Sequence, residues 1–159
     1  GTRGSLVAMT PKRWQFRKDP EQMGTFQQWY APEANGKWAE LDTTMYWEAQ
    51  GLQDSRGIGY AGQAWYRAAV AVHPEATGKP LRLAVGGLYG NELWTWVNGR
   101  LANHRARLNG RNAFDIDVSD YIRPGQTNHI ALLVETLPAD RNARGGLHRR
   151  VFLWSPKGE

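Results

Sequence analysis

The sequence predicts an all-β protein, a sandwich or barrel with little helix. Two observations carry this. Apolar residues alternate with period two along much of the chain, while helical periodicity is nearly absent. Gly, Pro, Asn and Asp punctuate these runs at short intervals. The chain also holds eight Trp, six Tyr and four Phe in 159 residues. Such rings are bulky core fillers in small β domains, and also flat platforms for the C–H faces of sugars.

The elements follow in order. Residues 14–17 and 44–47 read as strands, with a long wrapping loop between them. Residues 63–72 give the clearest strand. Ala64, Tyr66, Ala68, Val70 and Val72 fall on one face, and Trp65, Arg67, Ala69 and Ala71 on the other. His73-Pro74 ends it, because proline cannot donate to a ladder. Residues 81–85 alternate through Leu81, Leu83 and Val85. Residues 92–97 set Leu93, Thr95 and Val97 against Trp94 and Trp96. Asn98-Gly99 supplies the two positive-φ positions of a tight hairpin turn, and residues 100–103 return. Residues 113–118 form another strand. Ser119 is read as the cap of a short helical turn over 120–122, accepting a backbone N–H. Pro124-Gly125 makes a turn. Residues 130–135 are apolar on both faces, as in a central strand. Residues 147–154 close the sheet.

Length and composition bound the function. A chain of 159 residues is about one domain, and a domain of this size buries roughly two thirds of its unfolded surface. No interdomain linker is visible, so one domain is expected to fill residues 1–159. No apolar run approaches the ~20 residues of a membrane span, so no membrane partner is expected. Residues 1–10 lack the apolar core of a signal peptide and read as a trimmed start. Cysteine is absent, which excludes disulfides, thiolate metal sites and Cys catalysis. The net charge of +5, from 20 Lys and Arg against 15 Asp and Glu, fits either simple solubility or an anionic partner. Nucleic acid is a poor candidate, since no basic helix, zinc-ligand spacing or single-strand-binding signature is present.

Catalytic constellations are weak. Glycoside hydrolysis needs two carboxylates about 5 to 9.5 Å apart, and Asp115 and Asp117 share a strand face at such a spacing. A structural role in the strand-to-turn segment is the better reading of both. The strained elbow that a Ser nucleophile needs is missing. His73, His104, His129 and His148 show no paired metal-ligand spacing. No catalytic residue is therefore assigned, and a metal site stays unknown.

From about Gly62 onward the chain resembles the N-terminal sugar-binding jelly roll of family-two glycoside hydrolases, which has the galactose-binding-like fold. The resemblance lies in Ala64-Trp65-Tyr66-Arg67, in Leu93 to Gly99 with its terminal Asn-Gly, and in Asn103-His104. It continues in the run Phe114 to Gly125 and in the closing Gly145-Gly146-Leu147-His148-Arg149-Arg150-Val151. The earlier run from Trp14 through Asp19-Pro20, Gly24 and Trp47-Glu48 is similar to the opening segment of related multidomain hydrolases and esterases. One departure stands out. Where the family usually has a short Gly-Gly-aromatic turn after the His, this chain has the Arg-rich residues 105–112.

The resemblance implies a single jelly-roll β-sandwich excised from a larger, secreted or periplasmic enzyme whose catalytic residues lie in a separate barrel domain. The expected function is a non-catalytic carbohydrate-binding module of a polysaccharide-degrading enzyme. The alternative is an accessory jelly roll that braces the catalytic domain without sugar affinity of its own. No cofactor is expected, although folds of this kind often carry a structural calcium. Expected partners are a polysaccharide or oligosaccharide and the other domains of the parent enzyme. In the resembled family, the loops corresponding to 50–62, 104–112 and 138–146 approach one another. Here they offer Asp54, Arg56, Tyr60, His104, Arg105, Arg107, Arg111, Asp140, Arg141 and Arg144, with Tyr60 or Trp94 as a stacking face. Arg forks onto carboxylate or sulfate, which favours an acidic or sulfated glycan.

Overall fold

A computed structural model describes residues 3–108, 113–137 and 144–157. The protein is an all-β sandwich. β1 (Gly4–Met9), β12 (Phe152–Pro156), β5 (Arg82–Val85) and β9 (Phe114–Asp117) form a four-stranded sheet in the order β1-β12-β5-β9. The facing sheet has six strands in the order β3-β2-β4-β10-β7-β8. These are β3 (Ala39–Asp42), β2 (Arg13–Asp19), β4 (Gly62–Ala71), β10 (Thr127–Thr136), β7 (Glu92–Val97) and β8 (Arg100–Arg105). A two-stranded ribbon pairs β6 (Leu88–Tyr89) with β11 (Gly146–Leu147). Among the described residues, helix is confined to two 3-10 turns, Trp47–Gln50 and Pro74–Ala76.

Period-two alternation sets the inner faces. Phe16, Tyr66, Val70, Leu93, Val97, Ile130, Leu132 and Val134 from one sheet meet Leu83, Val85, Ile116 and Leu153 from the other in one buried cluster. β10 lies between β4 and β7 and is buried on both faces, as its apolar sequence requires. The outer face of the six-stranded sheet is also covered in part. The segment between β2 and β3 lays Trp29, Tyr30 and Trp38 over Trp65, Trp96, Ala131 and Leu133 in a second cluster. Asp19 anchors this segment. Its carboxylate accepts N–H groups from Met23 (2.8 Å), Gly24 (2.7 Å) and the Trp65 indole (3.0 Å). Gly24 has no room for a side chain, since a Cβ would lie 2.3 Å from Trp65 Nε1.

The expected hairpin turn is present, with φ of 53° at Asn98 and 80° at Gly99. Asn98 does more than turn the chain. Its amide donates to Asn128 Oδ1 at 2.8 Å and to the Tyr121 carbonyl at 2.9 Å, and it accepts the His129 N–H at 2.9 Å.

Three local expectations need correction, and the first strand is an addition to them. Residues 44–47 are not a strand. Asp42 Oδ1 accepts both the N–H and the hydroxyl of Thr44, which turns the chain, and the strand of this region is β3. Ser119 accepts a backbone N–H, but from Leu81 across the sheet at 2.9 Å. The capping acceptor at that turn is Asp117, which takes the Ser119 N–H at 3.0 Å. Residues 147–154 are not one strand, because β11 and β12 belong to different sheets. The start of the chain forms an edge strand, with β1 pairing β12.

Candidate functional site

Strand register gathers one end of the six-stranded sheet. Gly62 opens β4 opposite Thr136 at the end of β10, Glu135 faces Glu92 at the start of β7, and Leu93 faces Arg105 at the end of β8. The chain segments that enter β4 and leave β8 and β10 therefore meet there. Asn91 ties two of them, accepting the Leu108 N–H on its carbonyl and the Leu137 N–H on its side chain, both at 2.9 Å. Thr136 Oγ1 accepts the Gly62 N–H at 3.1 Å and joins the third. Asp140 and Arg141 lie outside the described residues, as does Arg111.

The remaining candidates divide into separate groups. Trp94 and His104 sit directly opposite on β7 and β8. Their rings stack at 4.6 Å with an interplanar angle of 5°. His104 Nε2 lies 2.7 Å from Glu92 Oε2. Glu92 faces Glu135, which accepts from the Gln63 amide at 3.3 Å. Trp94 thus borders a strip of hydrogen-bonding groups on the outer face of the sheet, and it is half-buried.

Arg105 belongs to the other face, because successive side chains of a strand alternate. Its guanidinium lies 4.7 Å from the Phe114 ring and donates to the Asp115 carbonyl at 3.0 Å. One ligand lying flat on Trp94 therefore does not reach Arg105 across the sheet. Arg107 is exposed at a φ of 58°.

Asp54 and Arg56 hold each other through a 2.8 Å ion pair. Asp54 Oδ1 also accepts the N–H groups of Arg56 and Ile58, and hydrogen bonds from Arg56 and the Ile58 backbone keep its carboxyl below the usual range. Tyr60 packs 5.7 Å from Trp47 and donates its hydroxyl to the Gln63 carbonyl at 2.6 Å. Burial pushes its phenol up to about 12. Asp54 and Tyr60 border a shallow hollow of about 360 Å³ with Lys18, Leu52 and Ile58. The Arg144 guanidinium lies 4.4 Å from the Tyr46 ring. Among the described residues, no three His, Asp or Glu side chains gather into a group that could hold a metal ion.

Sequence reading missed a second surface. On the four-stranded sheet, Trp154 points outward and its indole donates to Asp115 Oδ1 at 2.8 Å. The signal was present in the alternation of Val151, Leu153 and Ser155, all buried, with Phe152 and Trp154, which are not. Asp115 and Asp117, the carboxylate pair of the sequence, serve the Trp154 indole and the Ser119 N–H respectively.

No protein-family model and no curated protein matches the sequence. Solved structures do. β-Glucuronidase from Ruminococcus gnavus in complex with D-glucuronic acid aligns with a TM-score of 0.80 at 18% identity, over 98% of this chain and 30% of that one. The apo structure of that enzyme aligns with the same TM-score and identity, over 98% and 29%. The likeness shows the fold. The chain spans about 30% of the length of the enzyme it matches.

Proposed function

We propose that the chain is a non-catalytic carbohydrate-binding module, a jelly roll belonging to a larger, secreted or periplasmic polysaccharide-degrading enzyme. The observation that carries this reading is the extent of the structural match. Nearly all of this chain aligns with under a third of a sugar-hydrolysing enzyme, so the matched part is one portion of a much longer protein. The binding surface proposed is the loop end of the six-stranded sheet. There the Trp94–His104 stack offers a ring face, with Glu92, Glu135 and Gln63 as hydroxyl partners. Arg107 and the arginines of the neighbouring loops lend charge for an acidic or sulfated glycan. Calcium, nucleic acid and membrane have no part in the proposal. Among the described residues, no helix is long and apolar enough to cross a membrane.

A second reading, an accessory brace without sugar affinity, is favoured by Phe26 and Met23, which are 82% and 36% exposed in one turn of the wrapping segment. Titrating uronate-containing and sulfated oligosaccharides against the protein and its Trp94→Ala and Arg107→Ala variants separates the two. The module reading expects binding in the millimolar to micromolar range. Binding should weaken in Trp94→Ala and fade as salt shortens the Debye length toward ~3 Å. Absence of binding by any glycan at millimolar concentration leaves the brace.

A further inference from the structure

We propose that the outer face of the four-stranded sheet is a second carbohydrate site, a groove that takes a chain of neutral pyranose units on the indole of Trp154. The proposal rests on the reading of the protein as a glycan-binding module and adds a site on the opposite sheet.

The platform comes first. Trp154 is on β12, Asp115 on β9, and β5 runs between them. Neighbouring strands lie about 4.8 Å apart. For the indole N–H to reach Asp115 Oδ1 at 2.8 Å, the ring has to lie down across β5. Ala84 of β5 has only 7% of its surface exposed, and its short side chain lets the ring pass. The benzo edge is held on the β1 side, where a Cβ on Gly4 would come within 2.6 Å of Trp154 Cε3. A glycine at one end and a carboxylate at the other thus fix the indole parallel to the sheet. Trp154 stays half-buried in that position. A ring laid flat on a sheet keeps its outer π face for stacking, and the C–H face of a pyranose suits it.

The surroundings have the dimensions and polarity of a ligand site. The groove holds about 690 Å³, within the range of small-ligand clefts. Small residues at Gly4, Ala84 and Gly86 leave the space that Phe152 and Trp154 border. Leu6, opposite Trp154 in register and 61% exposed, prolongs the apolar strip. The polar rim carries both signs. Arg3 and Ser5 line it with groups able to donate, and the Arg82 guanidinium lies 5.8 Å from the indole centroid. Asp115 keeps a second carboxylate oxygen as an acceptor, and Asp117 faces Arg82 across the ladder. The charged residues that line the groove are one cation and one anion, Arg3 and Asp115, which balance. This balance matches hydroxyl groups, which donate and accept, better than it matches a uronate or sulfate.

Gly86 provides a plug that spares the fold. A Cβ there would meet only Arg149 carbons, at 3.6 and 3.7 Å, which is ordinary contact. The test is a titration of the ¹⁵N-labelled chain with cellohexaose, xylohexaose and mannohexaose, and with hexagalacturonate as the acidic arm, at millimolar concentration, followed by the indole and backbone N–H resonances. The Trp154 indole and the Gly86 amide are expected to shift with at least one of them. Gly86→Gln should weaken the interaction by ~10-fold or more, which is ~1.4 kcal/mol. Trp154→Ala should abolish it, and Trp94→Ala should leave it intact. Shifts confined to the Trp94 indole, or equal binding by Gly86→Gln, overturn the groove and leave the module reading standing. Movement of Trp154 by acidic oligosaccharides alone overturns the neutral class of ligand. If no neutral or acidic glycan moves any resonance, both readings fall.

Discussion

The indole N–H of Trp47 donates to the hydroxyl of Tyr66 at 2.7 Å, and that hydroxyl accepts the backbone N–H of Leu147 at 3.1 Å. One buried oxygen thus joins the 3-10 turn before β4, the centre of β4 and the closing Gly-Gly segment. The glycines follow from this. A Cβ on Gly145 would lie 2.5 Å from Trp47 Cε3, and one on Gly146 would lie 2.2 Å from Trp47 Nε1. Burial raises the Tyr66 phenol above its ordinary value, so the neutral hydroxyl is kept. Tyr66→Phe strands two buried donors, each worth about 1–3 kcal/mol. The expected loss is about 2–4 kcal/mol in urea unfolding followed by Trp fluorescence. A variant within about 0.5 kcal/mol of the parent, the range of an ordinary surface change, would show that the hydroxyl has no such role.

Asp19 is 1% exposed and accepts three N–H groups. Removing the carboxylate leaves these donors unpaired, at a cost of about 2–4 kcal/mol. Asp19→Ala is expected to loosen the segment between β2 and β3 before the sandwich itself. Amide exchange at Trp29 should accelerate in this variant while exchange at Leu132 keeps its protection. Equal acceleration at both positions would mean that the segment has no independent anchor.

Trp96 is 5% exposed and lies between Tyr30, stacked at 5.0 Å and 2°, and Trp65, also at 5.0 Å. It fills the second cluster and faces away from the core between the sheets. Trp96→Ala should cost about 3–5 kcal/mol by removing a buried aromatic. Melting within about a degree of the parent, when 1 kcal/mol shifts a domain of this size by ~2–4 °C, contradicts the assignment.

His148 stacks on Tyr89 at 4.4 Å, and its buried Nε2 has no hydrogen-bond partner. Burial first, then the charges of Arg149 and Arg144, lower its pKa from 6.5. The native state therefore binds this proton less readily than the unfolded chain does. Stability is fully present above the unfolded value near 6.5 and falls as pH drops toward the folded value. His148→Phe, which keeps a ring on Tyr89, should flatten this part of the profile. The measurement is Tm between pH 8 and pH 5 for both proteins, and parallel curves would remove His148 as the cause.

The sequence by itself determined the all-β class, most of the strands between residues 62 and 136, the Asn98-Gly99 turn and the central place of β10. These features are written locally, in alternation along one strand and in turn residues with positive φ. Trp65 and Trp96 could be put on the far face from Tyr66 and Val97 by counting in twos. Counting could not say whether that face was wet. Only the fold brought Trp29 and Tyr30 down on it, through a carboxylate at Asp19 far from Trp65 in sequence. The candidate site divided for the same reason. His104 and Arg105 are neighbours in the chain, yet strand alternation and the pairing of β8 with β7 send one to the Trp94 face and the other to Phe114. Trp154 was legible as an outward residue of a last strand. Its posture, flat across β5 on a hydrogen bond to Asp115, depends on which strand lies beside which. That is decided by packing between distant segments, because no local preference encodes the neighbour of a strand.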